Sequence, residues 1–239
     1  MSLSPELQEL HDAESLYIGD PQLVGEKIKN VRLHGVVGAT TSGKTTLITR
    51  AVDLMPDSNA VPSAVDRFRK PGDPDNYETA SEDITTDKLI HDIRAGLLVN
   101  YAIFPTGNIY ATYSDYYSAT HNFLPTMSSS IAQLSQAAFA SFDQTYIYLP
   151  AEQWAELIKA KNFNGKRKER MKDAIESFDY ALEHPDNLVF IRNQYGREGL
   201  ERAARELMFV ANGTSQGDNK EKAIEDIKKL KAIAYELAA

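Results

Sequence analysis

Apolar and polar positions divide the chain into segments of two kinds. Short apolar runs rich in Val, Ile and Tyr predict buried strands, and the first strong one runs from Val31 to Val37. Further strands are expected at Leu97 to Phe104, Ile109 to Tyr113, Asn122 to Met127, Thr145 to Leu149 and Asn187 to Ile191. Between them, apolar residues recur at helical spacing. This predicts helices at Leu47 to Val52, Thr85 to Ala95, Ile131 to Ala140, Glu152 to Lys161, Glu169 to Glu183 and Gly199 to Val210. Strands alternating with helices imply an α/β fold whose largely parallel sheet is covered on both faces. Residues 1 to 30 read as an N-terminal helical appendage, with a short helical pattern at Pro5 to His11. Asn212 to Asn219 reads as a flexible joint to a terminal amphipathic helix, Lys220 to Leu237. Asp57 to Asp87 is rich in Pro, Gly and charge. It is expected to be too polar for core and too long for a simple connection, the profile of a functional loop.

The first strand runs into Gly38-Ala39-Thr40-Thr41-Ser42-Gly43-Lys44-Thr45-Thr46, and a helix follows at once. Strand, loop and helix in this order, with glycines five apart before Lys-Thr, form the setting of a phosphate-binding loop. Gly38 and Gly43 permit backbone angles and close approach that a Cβ would block, so successive amides can turn toward phosphate oxygens. The helix N-terminus adds unpaired N–H groups and the positive end of its dipole. Lys44 can then reach the outer phosphates, and the Thr45 hydroxyl can ligate Mg²⁺. The whole segment 38–46 is therefore expected to cradle the phosphates of a nucleotide.

Composition narrows the partners and the chemistry. With 239 residues, 42% of them hydrophobic, the chain can bury a sizeable core. The absence of cysteine removes disulfides, thiolate metal sites and thiol nucleophiles, and fits a cytoplasmic setting. No apolar run of about 18 residues spans a bilayer, and the acidic N-terminus does not resemble a secretory signal. A soluble protein with no membrane partner is expected. A net charge of -8 argues against nucleic acid as a partner, although a local basic cluster could still hold nucleotide phosphates. The five histidines show no metal-ligand spacing, and His34 reads as a packed strand residue.

From about Leu33 to Phe209 the order of these segments resembles the guanylate kinase family of nucleoside monophosphate kinases. The resemblance implies a three-layer α/β/α P-loop kinase fold within residues 31–210, with a small acceptor-binding region at about 57–118 and a mobile lid at about 159–171. Residues 211–239 would be a linker and a C-terminal helix outside it. In the family a serine, two arginines, a glycine-acid pair and a tyrosine grip the acceptor; Ser63, Arg67, Lys70, Gly72-Asp73 and Tyr77 stand in that order here. Arg67 suits bidentate phosphate binding and Lys70 a point charge. Tyr110 and Thr112 match the next family segment, while Asn100 stands where the family carries a base-reading glutamate. An amide offers guanine's two donors only one acceptor oxygen. A second acidic position falls in Leu124 to Ser130, where there is no carboxylate. The basic stretch Lys159, Lys161, Lys166, Arg167 and Arg170 occupies the lid, and Asn193 matches an adenine contact.

The resemblance implies Mg²⁺- and ATP-dependent phosphoryl transfer to a nucleoside monophosphate, GMP first, with another nucleotide or a ribose phosphate as the alternative. Lys44 and Arg170 would stabilise the migrating charge. A non-catalytic guanylate kinase-like binding module is the rival of a different class, yet it could dispense with the loop that this chain keeps. An NTPase switch would need a metal-binding Asp after an apolar strand, and Asp143 instead precedes Tyr146 to Leu149.

Overall fold

The computed structural model describes residues 3–69, 77–78, 84–104, 107–163 and 165–238. In chain order the elements begin with α1 (Pro5–Asp12), the single turn α2 (Glu26–Ile28), β1 (Arg32–Val37) and α3 (Lys44–Leu54). Next come β2 (Ser58–Ala60), β3 (Ser63–Val65), β4 (Tyr77–Glu78), α4 (Thr86–Arg94), β5 (Leu98–Ile103), β6 (Ile109–Tyr113), β7 (His121–Pro125) and α5 (Ile131–Gln136). The chain ends with β8 (Ser141–Tyr148), α6 (Ala151–Ala160), α7 (Arg167–Glu183), β9 (Val189–Arg192), α8 (Arg197–Ala211) and α9 (Lys220–Ala238). Side chains stop several fraying helix ends: Ser4 Oγ accepts from Leu7 N, Thr85 Oγ1 from Lys88 N and Asn219 Oδ1 from Lys222 N. The fold is mixed α/β, with parallel pairing of β2 with β7 and of β8 with β9.

Two compact units divide the chain, one of Met1–Leu33 and Asp57–Phe142, the other of His34–Pro56 and Asp143–Ala239. The first contains a four-stranded sheet in the order β4-β3-β6-β5. Its register sorts side chains by face, because neighbours alternate along a strand and paired residues share a side. Ala64, Ala111, Tyr101, Ile103 and Ile109 belong to a core cluster with Leu10 of α1 and Leu89, Ile90 and Ile93 of α4. The opposite face carries Val65 paired with Tyr110, Ala102 paired with Tyr110 and Asn100 paired with Thr112; Ser63, two residues before Val65, lies on that side too. A second cluster joins Val24, Ile28, Val31, Leu33, Val61, Val99, Leu124 and Leu134.

In the second unit β1, β8 and β9 lie side by side in that order, with β1 and β8 contributing their greater parts. Tyr146, Ile147, Phe190 and Ile191 are buried along the β8/β9 pair. Helix α7 buries Met171, Ala174, Phe178 and Ala181, and α9 buries Ala223, Ile227, Leu230 and Ala234, both at helical spacing. Alanines on both stripes let the two helices approach closely, and Lys231 pairs with Asp179 at their contact. Each fully buried Leu, Ile or Phe contributes about 1.5–3 kcal/mol, so the stripes outweigh any surface ion pair.

Several expectations need correction. The polar segment 57–87 contains two three-residue strands, β2 and β3, and buries Val61, Ala64 and Val65. Three residues are too few for a period to show in sequence. The helix from Ile131 stops at Gln136 instead of Ala140, because Ala137 turns extended and Ala137 and Phe139 pack on the second core cluster. Strand β8 starts at Ser141, four residues before Thr145. Nor does the joint 212–219 hang free. Thr214 N donates to Phe209 O at 2.8 Å, Ser215 Oγ donates to Glu206, and Asp218 N donates to Phe190 O at 2.7 Å.

Candidate active site

The loop between β1 and α3 has the backbone that its glycines foretold. Gly38 has φ +154°, and a Cβ there would lie 2.4 Å from Ile147 O. Gly43 has φ +86°, and a Cβ there would lie 2.6 Å from Asn193 Nδ2. Between them Thr41 also takes a positive φ, +62°, which a β-branched residue adopts only under constraint. Part of that constraint comes from the second unit's core. Trp154, fully buried in α6, donates its indole N–H to Thr40 O at 2.9 Å, and Asn193 Nδ2 donates to Ser42 O at 3.0 Å. The N-cap of α3 is Gly43, which has no side chain to offer the first turn. The N–H groups of Lys44, Thr45 and Thr46 therefore have neither an intrahelical acceptor nor a side-chain cap, and they can serve an anion.

Charge points the same way. The Lys44 ammonium folds back onto the loop, donating to Gly38 O at 2.6 Å and Ala39 O at 3.2 Å. Burial and the positive charges of Arg170 and Lys161 push its pKa down to about 8. Three cations near one loop repel each other unless an anion joins them. Arg170 stands in the first turn of α7, 3.4 Å from Asp173 Oδ2, and burial raises the Asp173 carboxyl above its ordinary range. Thr45 and Thr46 lie in the same helical turn as Lys44, Thr45 half-buried and Thr46 exposed. Among the described residues no group of three or more His, Cys, Asp or Glu could hold a metal ion. A lone Thr45 hydroxyl fits Mg²⁺, which takes few protein ligands and keeps phosphate oxygens and waters.

Of the expected acceptor residues, the first unit brings together two pairs. Arg67 Nε donates to Tyr110 Oη at 3.2 Å with its guanidinium carbon 5.8 Å from the ring centroid, a cation–π contact. Asn100 Oδ1 accepts from Thr112 Oγ1 at 2.5 Å, and Thr112 Oγ1 lies 2.9 Å from Tyr117 Oη. Burial raises the Tyr117 pKa, and all three residues are under 8% exposed. Ser63 is buried on the same sheet face. Lys70 and Asp73 lie outside the described residues; Tyr77 pairs in register with Ser63 through its backbone, its side chain not being described. Tyr113 and Tyr116 form an edge-to-face pair at 5.4 Å, a packing contact. His34 is 2% exposed in β1, 3.7 Å from Asp143, as a packed strand histidine should be.

The sequence reading missed Trp154 and Asp218. Nothing in the spacing from residue 40 to 154 betrays a contact; the chain's single Trp at an apolar helix position was the available signal.

No family model matches the chain, and no curated protein matches it. Among solved structures it is similar to the crystal structure of guanylate kinase from Anaplasma phagocytophilum, at 13% identity, covering 80% of this chain and 87% of that one, with a TM-score of 0.49. No helix among the described residues is long and apolar enough to cross a membrane.

Proposed function

We propose that the protein is a guanylate kinase-like phosphotransferase that moves the γ-phosphoryl group of ATP, with Mg²⁺, to a nucleoside monophosphate. The observation that carries this reading is the convergence of Lys44, Arg170 and Lys161 on an uncapped helix start. Phosphoryl transfer asks for positioned positive charge around a migrating phosphoryl, with little covalent work from the protein. Residues 38–46 would cradle the triphosphate and Thr45 would take Mg²⁺, which neutralises phosphate charge. Lys44 and Arg170 would stabilise the charge of the migrating group, and residues 159–171 would close over it as a lid that excludes water. No general base is needed, because an acceptor phosphate oxygen is ionised at neutral pH. A soluble, cytoplasmic enzyme fits this reading.

On the acceptor side Ser63, Arg67, Lys70, Asp73, Tyr77, Asn100, Tyr110 and Thr112 would hold the monophosphate. The shared sheet face of Ser63, Asn100, Tyr110 and Thr112 supports that grouping. GMP is the acceptor that the family resemblance implies. One contact favours a second reading, in which the acceptor is another nucleotide or a ribose phosphate: Asn100 has committed its single acceptor oxygen to Thr112. The test is ADP release from Mg·ATP with GMP, dGMP, AMP, CMP, UMP and sugar phosphates in turn. Acceptor-dependent turnover lost in Lys44→Ala is expected. Tight nucleotide binding with no turnover on any acceptor would favour a binding module.

A further inference from the structure

Asn193 follows the last residue of β9, where the family resemblance would have it touch adenine. Its side chain is engaged elsewhere. The amide Nδ2 donates to Ser42 O at 3.0 Å, so the loop carbonyl just before Gly43 is held from outside the loop. A Cβ on residue 43 would meet that same nitrogen at 2.6 Å, so the glycine admits the contact as well as the backbone turn. The Asn193 backbone is fixed too, its N–H donating to Tyr148 O at 2.8 Å. Beyond it, Asp218 closes the outer edge of β9: its N–H donates to Phe190 O at 2.7 Å and its carboxylate accepts from Arg192 N. The edge of β9 is therefore tied to the segment that precedes α9. Two polar atoms at the contact, Ser42 Oγ and Asn193 Oδ1, have no hydrogen-bond partner among the described residues, although both residues are more than nine-tenths buried. Buried polar groups without partners are rare and mark a place where a further group completes the set.

We infer that Asn193 is a positioning residue, a strut that sets the height of the phosphate loop, and that Asp218 anchors the strut from the C-terminal segment. This rests on the nucleotide reading and assigns Asn193 to the phosphates instead of the base. A chain of contacts then runs from Asp218 through Arg192 and Asn193 to Ser42, which gives residues 212–219 a part in nucleotide binding.

The probes that separate the roles are Mg·ATP, Mg·GTP and inorganic tripolyphosphate, titrated calorimetrically into the full-length protein and its variants. A strut serves every triphosphate tail alike. Asn193→Ala should weaken all three by a common factor of about fivefold, the worth of one neutral hydrogen bond. Asp218→Ala should weaken them by a smaller common factor. Loss of ATP affinity with tripolyphosphate unchanged, or an altered ratio of ATP to GTP, would make Asn193 a base reader and overturn the inference. Should Asn193→Ala fail to fold, Asp218→Ala decides alone: unchanged tripolyphosphate affinity contradicts the strut. A wild-type protein that binds none of the probes defeats the nucleotide reading itself, an outcome distinct from either.

Discussion

The loop at residues 38–46 in one unit and the polar sheet face in the other carry similar side chains in opposite states. Around the loop, polar groups are left incomplete among the described residues: the start of α3 has no side-chain cap, Ser42 Oγ and Asn193 Oδ1 have no partner, and Lys44 is pressed by two like charges. On the sheet face the polar groups answer each other, Asn100 to Thr112 to Tyr117 and Arg67 to Tyr110. An incomplete set waits for a ligand, whereas a closed set holds the protein together and must rearrange before it reads one. The contrast places the stronger functional signal at the loop, and under the proposed function it explains why the acceptor is harder to name.

The comparison breaks first at Lys44. Lys44→Ala should lower acceptor-dependent ADP release by about a thousandfold or more, since a fixed charge at the migrating group is lost. Turnover within tenfold of wild type would remove the loop from the chemistry. Next comes Gly38→Ala. The added methyl meets the backbone oxygen of Ile147, so a cost of about 3 kcal/mol in urea unfolding is expected, whereas Thr112→Val on the closed network should cost about 1–2 kcal/mol. Equal costs would deny the difference between the regions.

pH sharpens the same contrast. With a pKa near 8, Lys44 in the ligand-free protein loses its proton as pH rises from 7 to 9, so affinity for ATP should fall over that window and binding at pH 8 should take up protons. Arg170→Ala removes a like charge, raises the Lys44 pKa and moves the fall to higher pH. A pH-independent affinity would contradict the electrostatic reading. The smallest effect is expected at Asn100→Glu. One carboxylate oxygen could keep Thr112 while the second accepts from guanine, so GMP use relative to AMP should rise by about fivefold. An unchanged preference would place residue 100 in the core alone.

What could be read from sequence follows from the reach of the forces involved. The loop was legible because its motif is local: Gly38, Gly43, Lys44 and Thr45 fall within nine residues, although the atoms that crowd the two glycines, Ile147 O and Asn193 Nδ2, come from far along the chain. The helices were legible because stripes such as Ala223, Ile227, Leu230 and Ala234 keep their period over several turns. Strands β2 and β3 were hidden, being three residues long in a charged segment. Contacts at long separation were hidden as well. That Trp154 would hold Thr40, Asn193 hold Ser42, or Asp218 tie down β9 depends on where the chain returns, which no local pattern encodes. The commitment of Asn100 to Thr112 belongs with these, since cross-strand register decides it.

The most direct measurement is a calorimetric titration of the full-length protein with Mg·ATP at pH 7, in parallel with Lys44→Ala. A saturable one-to-one heat that the variant loses is the predicted result. No heat from the wild type, or the same binding curve from both proteins, would contradict a triphosphate cradle at residues 38–46.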